Sequence, residues 1–100
     1  MIENFSLSFP GSVQVSVRAH LGVVASGDLE ILLEPRDEGA IVTVTTVVSG
    51  HRKTWEAVLA RFFERHPYAV KLEINDHGAT PGVVALRLEQ AIELANKGTV

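Results

Sequence analysis

The chain has 100 residues, of which 46% are hydrophobic, and a chain of this size is expected to fold as one domain, residues 1–100, around a core. It has no cysteine, which excludes disulfides, thiolate metal sites and a cysteine nucleophile. The net charge is -3, with acidic and basic residues interspersed, so nucleic acid is not an expected partner. The apolar runs fall far short of the roughly 20 residues that span a bilayer, and Met1 begins no signal segment, so we expect no membrane partner and a cytoplasmic location.

The N-terminal half alternates apolar and polar residues in four stretches, and this period of two predicts four strands. The first two stretches, 5–9 and 13–17, are separated by Pro-Gly at 10–11, which predicts a tight turn between neighbouring strands. The third stretch is 29–33. The fourth, 41–48, is β-branched almost throughout, which favours a strand inside the sheet.

The C-terminal half contains two stretches in which apolar residues recur every three to four positions, as on one face of a helix. The first helix stops at Pro67, and its apolar face is Trp55, Val58, Leu59, Phe62 and Phe63. A strand at 70–74 follows it. In the second helix Thr80 is the expected N-cap and Pro81 the first residue. Its apolar face is Val84, Leu88, Ala91, Ile92 and Ala95.

This order of elements predicts an α+β two-layer sandwich, in which a mostly antiparallel sheet of about five strands carries two helices packed on one face. If the fourth and fifth strands are parallel neighbours, the helix between them makes a right-handed crossover. Both helices need the sheet to bury their apolar faces.

The residues alone indicate no catalytic or metal site. The sequence Ser26-Gly27-Asp28 lacks the G-x-S-x-G pattern of a nucleophile elbow, and none of the four histidines lies in a recognisable motif. Asp76 and His77 are adjacent, which is typical of a polar turn and not of helical metal ligands. The residue types of Ser26, Gly27 and Asp28 are likewise typical of a turn.

Four segments resemble a known family over nearly the whole chain and in the same order. They are SGDLEILLEP, TVTTVVSG, WEAVLARFF and LEINDHGATPGVVALRLEQA. Together they resemble the acyl carrier, or delta, subunits of malonate decarboxylases. Two alternatives stay open, the acyl carrier subunit of citrate lyase and a small non-covalent binding or assembly module in which Ser26 is only a turn. The GATPGVV segment favours the malonate decarboxylase family over the citrate lyase relative.

The resemblance implies a carrier and not an enzyme. It implies that Ser26 is joined by a phosphodiester to 2'-(5''-phosphoribosyl)-3'-dephospho-CoA, whose terminal thiol bears an acetyl or malonyl group. Gly27 and Asp28 flank this attachment point. A serine that serves as a tether must be sterically open, and a flanking glycine gives a modifying enzyme access to the backbone.

The resemblance also implies partners. They are the acyl transferase and decarboxylase subunits of malonate decarboxylase, a prosthetic-group transferase and a malonyl transferase that primes the carrier. Asp28, Glu30 and Glu34 are expected either to pair with basic surfaces of these partners or simply to be solvated. Arg18 and His20 are expected to approach the phosphates of the group on Ser26.

The segment from Asp76 to Gly82 has a structural interpretation of its own. A turn followed by the start of a helix at Thr80-Pro81 accounts for its residue types. We therefore expect it to be scaffold, with a smaller part in contacts to a partner or to the prosthetic group.

Overall fold

The computed structural model describes residues 2–22 and 27–96, so Ser26 lies outside the described residues. Five strands and two helices are present in this part of the chain. In chain order they are β1 (Glu3–Phe9), β2 (Ala19–Gly22), β3 (Leu29–Pro35), β4 (Ala40–Thr46), α1 (Arg52–Arg65), β5 (Val70–Asp76) and α2 (Pro81–Asn96).

The five strands form one sheet in the order β1-β4-β5-β3-β2. Strands β4 and β5 are parallel, and the other three pairs are antiparallel. The α+β fold with a mostly antiparallel sheet is therefore confirmed. The interior position of β4 is confirmed as well. Strands β4 and β5 meet the stated condition of being parallel neighbours, and α1 connects them.

The predicted hairpin of residues 5–9 and 13–17 is wrong. Strand β1 lies at one edge of the sheet and β2, which begins only at Ala19, lies at the other. Gly11 does not close a hairpin turn: a Cβ at this position would lie 2.3 Å from the carbonyl oxygen of Tyr68. It is glycine because two backbones pass so closely there.

Residues 10–18 instead form a crossing segment between the two edges of the sheet. Its hydrogen bonds go to elements far away in sequence, since Val13 N–H donates to Pro67 O at 2.9 Å and Val17 N–H donates to Ala95 O at 3.1 Å. Val15 is buried in the core. The alternation of apolar residues in this segment therefore reflects one anchored valine between two exposed ones, Val13 and Val17.

The core lies between the two helices and one face of the sheet. One row of this face crosses all five strands and consists of Phe5, Val44, Ile74, Ile31 and Leu21. The predicted face of α2 is buried throughout, and that of α1 is buried except at Val58, which is half-buried. Phe63 stacks on Phe9, with ring centroids 5.1 Å apart.

The opposite face of the sheet is polar. Side chains of neighbouring strands bond to each other there, as in the pair formed by Asn4 and Thr45 at 2.7 Å and the pair formed by Ser6 and Thr43 at 3.1 Å. Within the described residues, neither helix has the length and the apolar character needed to cross a bilayer.

Candidate functional site

Gly22 anchors the chain at the residue that ends β2, just before residues 23–26. Its φ is +85°, and a Cβ on it would lie only 2.2 Å from the carbonyl oxygen of Leu29. Both the positive φ and the close backbone approach require glycine. The chain is thus fixed against β3 immediately before it enters the segment that contains Ser26.

Gly27 and Asp28 anchor the chain again on the other side of Ser26. Gly27 N–H donates to His77 O at 2.7 Å, and His77 N–H donates to Asp28 O at 2.9 Å. Gly27 has a φ of +78°, and apart from its two chain neighbours no atom of the described residues lies within 4 Å of the place that a Cβ on it would occupy. The residue bonded to Ser26 is therefore held by its backbone and open on its side-chain face.

The side chain of Asp28 is bound within the protein. Arg87 of α2 contacts both carboxylate oxygens, with Nε 3.3 Å from Oδ1 and Nη2 3.1 Å from Oδ2, and Leu29 N–H also donates to Oδ1 at 2.8 Å. The hydrogen bond from Arg87, followed by the one from Leu29, lowers the pKa of Asp28 below its ordinary value. Asp28 is thus paired within the protein, whereas the sequence analysis expected it either to be solvated or to pair with a partner.

A second carboxylate organises the turn against which Gly27 rests. Asp76, at the end of β5, is buried, and its Oδ2 accepts a hydrogen bond from the hydroxyl of Thr46 at 2.8 Å. The same carboxylate accepts from Gly78 N–H at 3.2 Å and from Ala79 N–H at 3.0 Å. A buried carboxylate needs such donors to offset its lost hydration. The structural interpretation of this turn is therefore correct.

Helix α2 begins directly after this turn. The hydroxyl of Thr80 accepts from Val83 N–H at 3.3 Å, and Pro81 is the first helical residue, as predicted. Arg87 lies later in the same helix. The start of α2 therefore sets the position of the arginine that contacts Asp28.

A cleft, here called the α1–α2 cleft, opens between the beginnings of the two helices and the turn at 76–79. Its volume is about 330 Å³, and most of its walls are apolar. It is lined by Thr46, Val48, His51, Thr54, Trp55, Val58, Asp76, Gly78, Ala79, Pro81 and Val84. The turn that fixes Gly27 is therefore also one wall of this cleft.

Glu30 and Glu34 lie on the polar face of the sheet. Glu30 is held there, since Asn75 Nδ2 donates to its Oε1 at 3.0 Å and His20 Nε2 lies 2.8 Å from its Oε2. The hydrogen bond from Asn75, and then the one from His20, lowers the pKa of Glu30 below its ordinary value. Glu34 pairs with Arg18 at 3.8 Å, and both of these side chains are largely exposed.

These contacts place Arg18 and His20 beside carboxylates on β3. Their approach to a phosphate on Ser26 stays a prediction. Among residues 2–22 and 27–96, no three histidine or acidic side chains are grouped closely enough to hold a metal ion.

The described structure fixes the chain at Gly22 and at Gly27, on the two sides of residues 23–26, and comparison with known proteins gives the class of the chain as acyl carrier proteins. Residues 16–95 match the family model described as malonate decarboxylase delta subunit (MdcD). The chain belongs to this family, the acyl carrier proteins of malonate decarboxylase.

Curated relatives agree over most of their length. The "Malonate decarboxylase acyl carrier protein" of Azotobacter vinelandii is 46% identical over 94 residues, which are 92% of this chain and 95% of the relative. The protein of the same name from Pseudomonas fluorescens has the same identity and coverage. A chain from the crystal structure of a Pseudomonas malonate decarboxylase hetero-tetramer in complex with malonate superposes with a TM-score of 0.88 at 43% identity, covering 93% of this chain and 98% of that one.

Proposed function

We propose that this chain is the non-catalytic acyl carrier subunit of a malonate decarboxylase, and that Ser26 is the attachment point of its prosthetic group. The observation that carries the proposal is the match to curated acyl carrier proteins at 46% identity over 94 residues. This match favours the malonate decarboxylase carrier over the citrate lyase carrier and over a non-covalent binding module.

The residues around Ser26 fit a bulky covalent group. Gly27 is open on its side-chain face, so a large substituent on the preceding residue meets no obstacle from it. Gly22 and Asp28 hold the chain on the two sides, and Arg87 fixes Asp28. An attachment segment held at both ends presents its hydroxyl to a modifying enzyme at a lower cost in conformational entropy than a free loop does.

The proposed group is 2'-(5''-phosphoribosyl)-3'-dephospho-CoA, joined to the Ser26 oxygen as a phosphodiester. When bound, it supplies a thiol that carries acetyl or malonyl as a thioester, whose carbonyl can accept the electron pair left by departing carbon dioxide. The chain itself supplies the tether, which raises the local concentration of the acyl group at a partner. The cytoplasmic location of this protein stays a prediction.

Catalysis belongs to partners in this proposal. The similar solved chain comes from a hetero-tetramer in complex with malonate, which supports assembly with other subunits. We propose that these include an acyl transferase and a decarboxylase subunit, and that a prosthetic-group transferase and a malonyl transferase act on the carrier beforehand. The oxyanion donors that stabilise the transition state then lie on the decarboxylase subunit.

The attachment point is tested by intact mass and peptide mapping after co-expression with the modifying enzymes. We expect one large adduct, mapped to Ser26 and absent from Ser26→Ala. Ser16→Ala, at an exposed serine, is the matched control and keeps the adduct. Ser26→Ala is expected to unfold at the same temperature as the wild type. An adduct on another serine would overturn the assignment.

The division of labour is tested by carbon dioxide release from the malonylated carrier. We expect no release from the carrier alone, rapid release when the decarboxylase subunit is added, and acyl exchange without release when only the transferase is added. Release by the purified carrier alone, at the rate of the full complex, would show that catalytic groups reside in this chain.

A further inference from the structure

The α1–α2 cleft adjoins Gly27, the residue that follows Ser26 in the chain. The place that a Cβ on Gly78 would occupy lies 3.8 Å from the nitrogen of Gly27, the residue bonded to Ser26, and Gly78 also lines the cleft. His77, one residue earlier, carries the backbone hydrogen bonds to Gly27 and Asp28. A long flexible group attached to Ser26 can therefore reach the rim of this cleft if its far end folds back past the phosphates nearest the serine.

The chemistry of the cleft selects one part of such a chain. Its volume of about 330 Å³ is within the range of small-molecule sites, roughly 300 to 1,000 Å³. Trp55, Val58 and Val84 supply apolar walls, while His51 and Thr54 are exposed polar residues of the lining. A neutral, partly apolar chain with a few hydrogen-bonding groups fits these walls.

The polar groups deeper in the cleft disfavour an anion. Asp76 is a buried acidic residue whose oxygens are already engaged by Thr46 and by the backbone of the turn. The described lining includes no lysine or arginine. The phosphate-bearing half of a coenzyme A derivative is therefore excluded on charge, and its neutral amide arm, which ends in the thiol, is not.

We infer that the α1–α2 cleft holds the thiol-ended pantetheine arm of the group on Ser26 when no partner is bound. The inference rests on the proposed function, because it requires the covalent group. Holding the arm shields the thiol or its thioester from solvent between visits to partner subunits. A partner that binds the arm more tightly than the cleft does then withdraws it.

The composition of the chain provides two readouts that are independent of enzyme activity. Trp55 is the single tryptophan of the chain, and it lines the cleft. The chain has no cysteine, so the thiol of the prosthetic group is the only thiol in the modified protein. The indole resonance of Trp55 therefore reports occupancy of the cleft, and reaction with a coloured aromatic disulfide reports exposure of the thiol.

The experiment compares apo and modified carrier and then fills the cleft by substitution. We expect modification to shift the Trp55 indole resonance and the thiol to react about 3- to 10-fold more slowly than free coenzyme A, which corresponds to an arm bound about 70 to 90% of the time. Thr54→Phe, at an exposed residue of the lining, is expected to abolish most of this protection. Ala60→Phe, at an exposed α1 residue outside the lining, is the matched control and preserves it.

The outcomes separate the two proposals. Absence of any adduct overturns the proposed function and this inference together. A mapped adduct on Ser26 with an unchanged Trp55 resonance and full thiol reactivity overturns only this inference. If Thr54→Phe does not fold, the comparison of apo with modified wild type decides alone, since it requires no variant.

Discussion

Asp76→Ala is expected to destabilise the protein strongly. The substitution removes the acceptor of three donors, the Thr46 hydroxyl and the N–H groups of Gly78 and Ala79. The hydroxyl has a second acceptor, Val48 O at 3.4 Å, and Gly78 is exposed to water. The loss in free energy of unfolding therefore comes mainly from the half-buried Ala79 N–H, which is left without an acceptor, and from the cavity, and it amounts to about 2 to 4 kcal/mol in total.

The measurement is urea denaturation at neutral pH, with thermal unfolding as a second readout. A loss of this size lowers the melting temperature by roughly 10 to 25 °C for a domain of this length. Asp76→Asn retains one oxygen acceptor and is expected to fall between wild type and alanine. Asp37→Ala, at an exposed carboxylate, is the control and should stay within about 0.5 kcal/mol. A loss below about 1 kcal/mol for Asp76→Ala, with an unchanged denaturant slope, would refute this reasoning.

Three further predictions follow from single contacts. Phe62→Ala removes a buried ring from α1 and should cost about 3 to 5 kcal/mol in urea denaturation; unchanged unfolding would show that the ring is not part of the core. Arg87→Met should accelerate amide hydrogen exchange at Gly27 and slow attachment of the prosthetic group. Arg87→Lys should recover part of both effects, because it keeps the charge but loses the two-point contact with Asp28. Equal exchange in the wild type and both variants would contradict this. The folded-state pKa of Glu30 is below its ordinary value of 4.5, so its contribution to stability is present above pH 4.5 and is lost as the pH falls through the folded pKa. Glu30→Gln should therefore reduce the loss of stability that the wild type shows on acidification. An unchanged loss of stability at acid pH would argue against the contacts of Glu30 with Asn75 and His20.

The helices were predictable because their signals are local. The apolar spacing from Trp55 to Phe63 and the start of α2 at Thr80-Pro81 depend on neighbours within one or two turns. The crossing segment was not predictable, since alternating valines after Pro-Gly are equally typical of a hairpin. Its partners, Pro67 and Ala95, are decided by the tertiary fold, which overrides the local pattern.

The residues of the candidate site likewise differ in how well the sequence predicts them. Ser26, Gly27 and Asp28 were singled out by their motif and by the resemblance around it. Arg87 was missed because it is 59 residues from Asp28 in sequence, and nothing in the local pattern of α2 marks it. A partly buried arginine on a helix is informative only when the carboxylate facing it is known.

The crossing segment also determines when during synthesis the protein can fold. Among the described strands β1 pairs only with β4, and residues 16 and 17 donate to the carbonyl of Ala95 in α2. None of these N-terminal contacts can form until their partner residues have been synthesised and have left the ribosome. Pairings so distant in sequence also form slowly. The nascent chain therefore leaves the region around Val15 without its α2 contacts until nearly all of it has been made, and recognition by general chaperones before α2 emerges is the expected consequence.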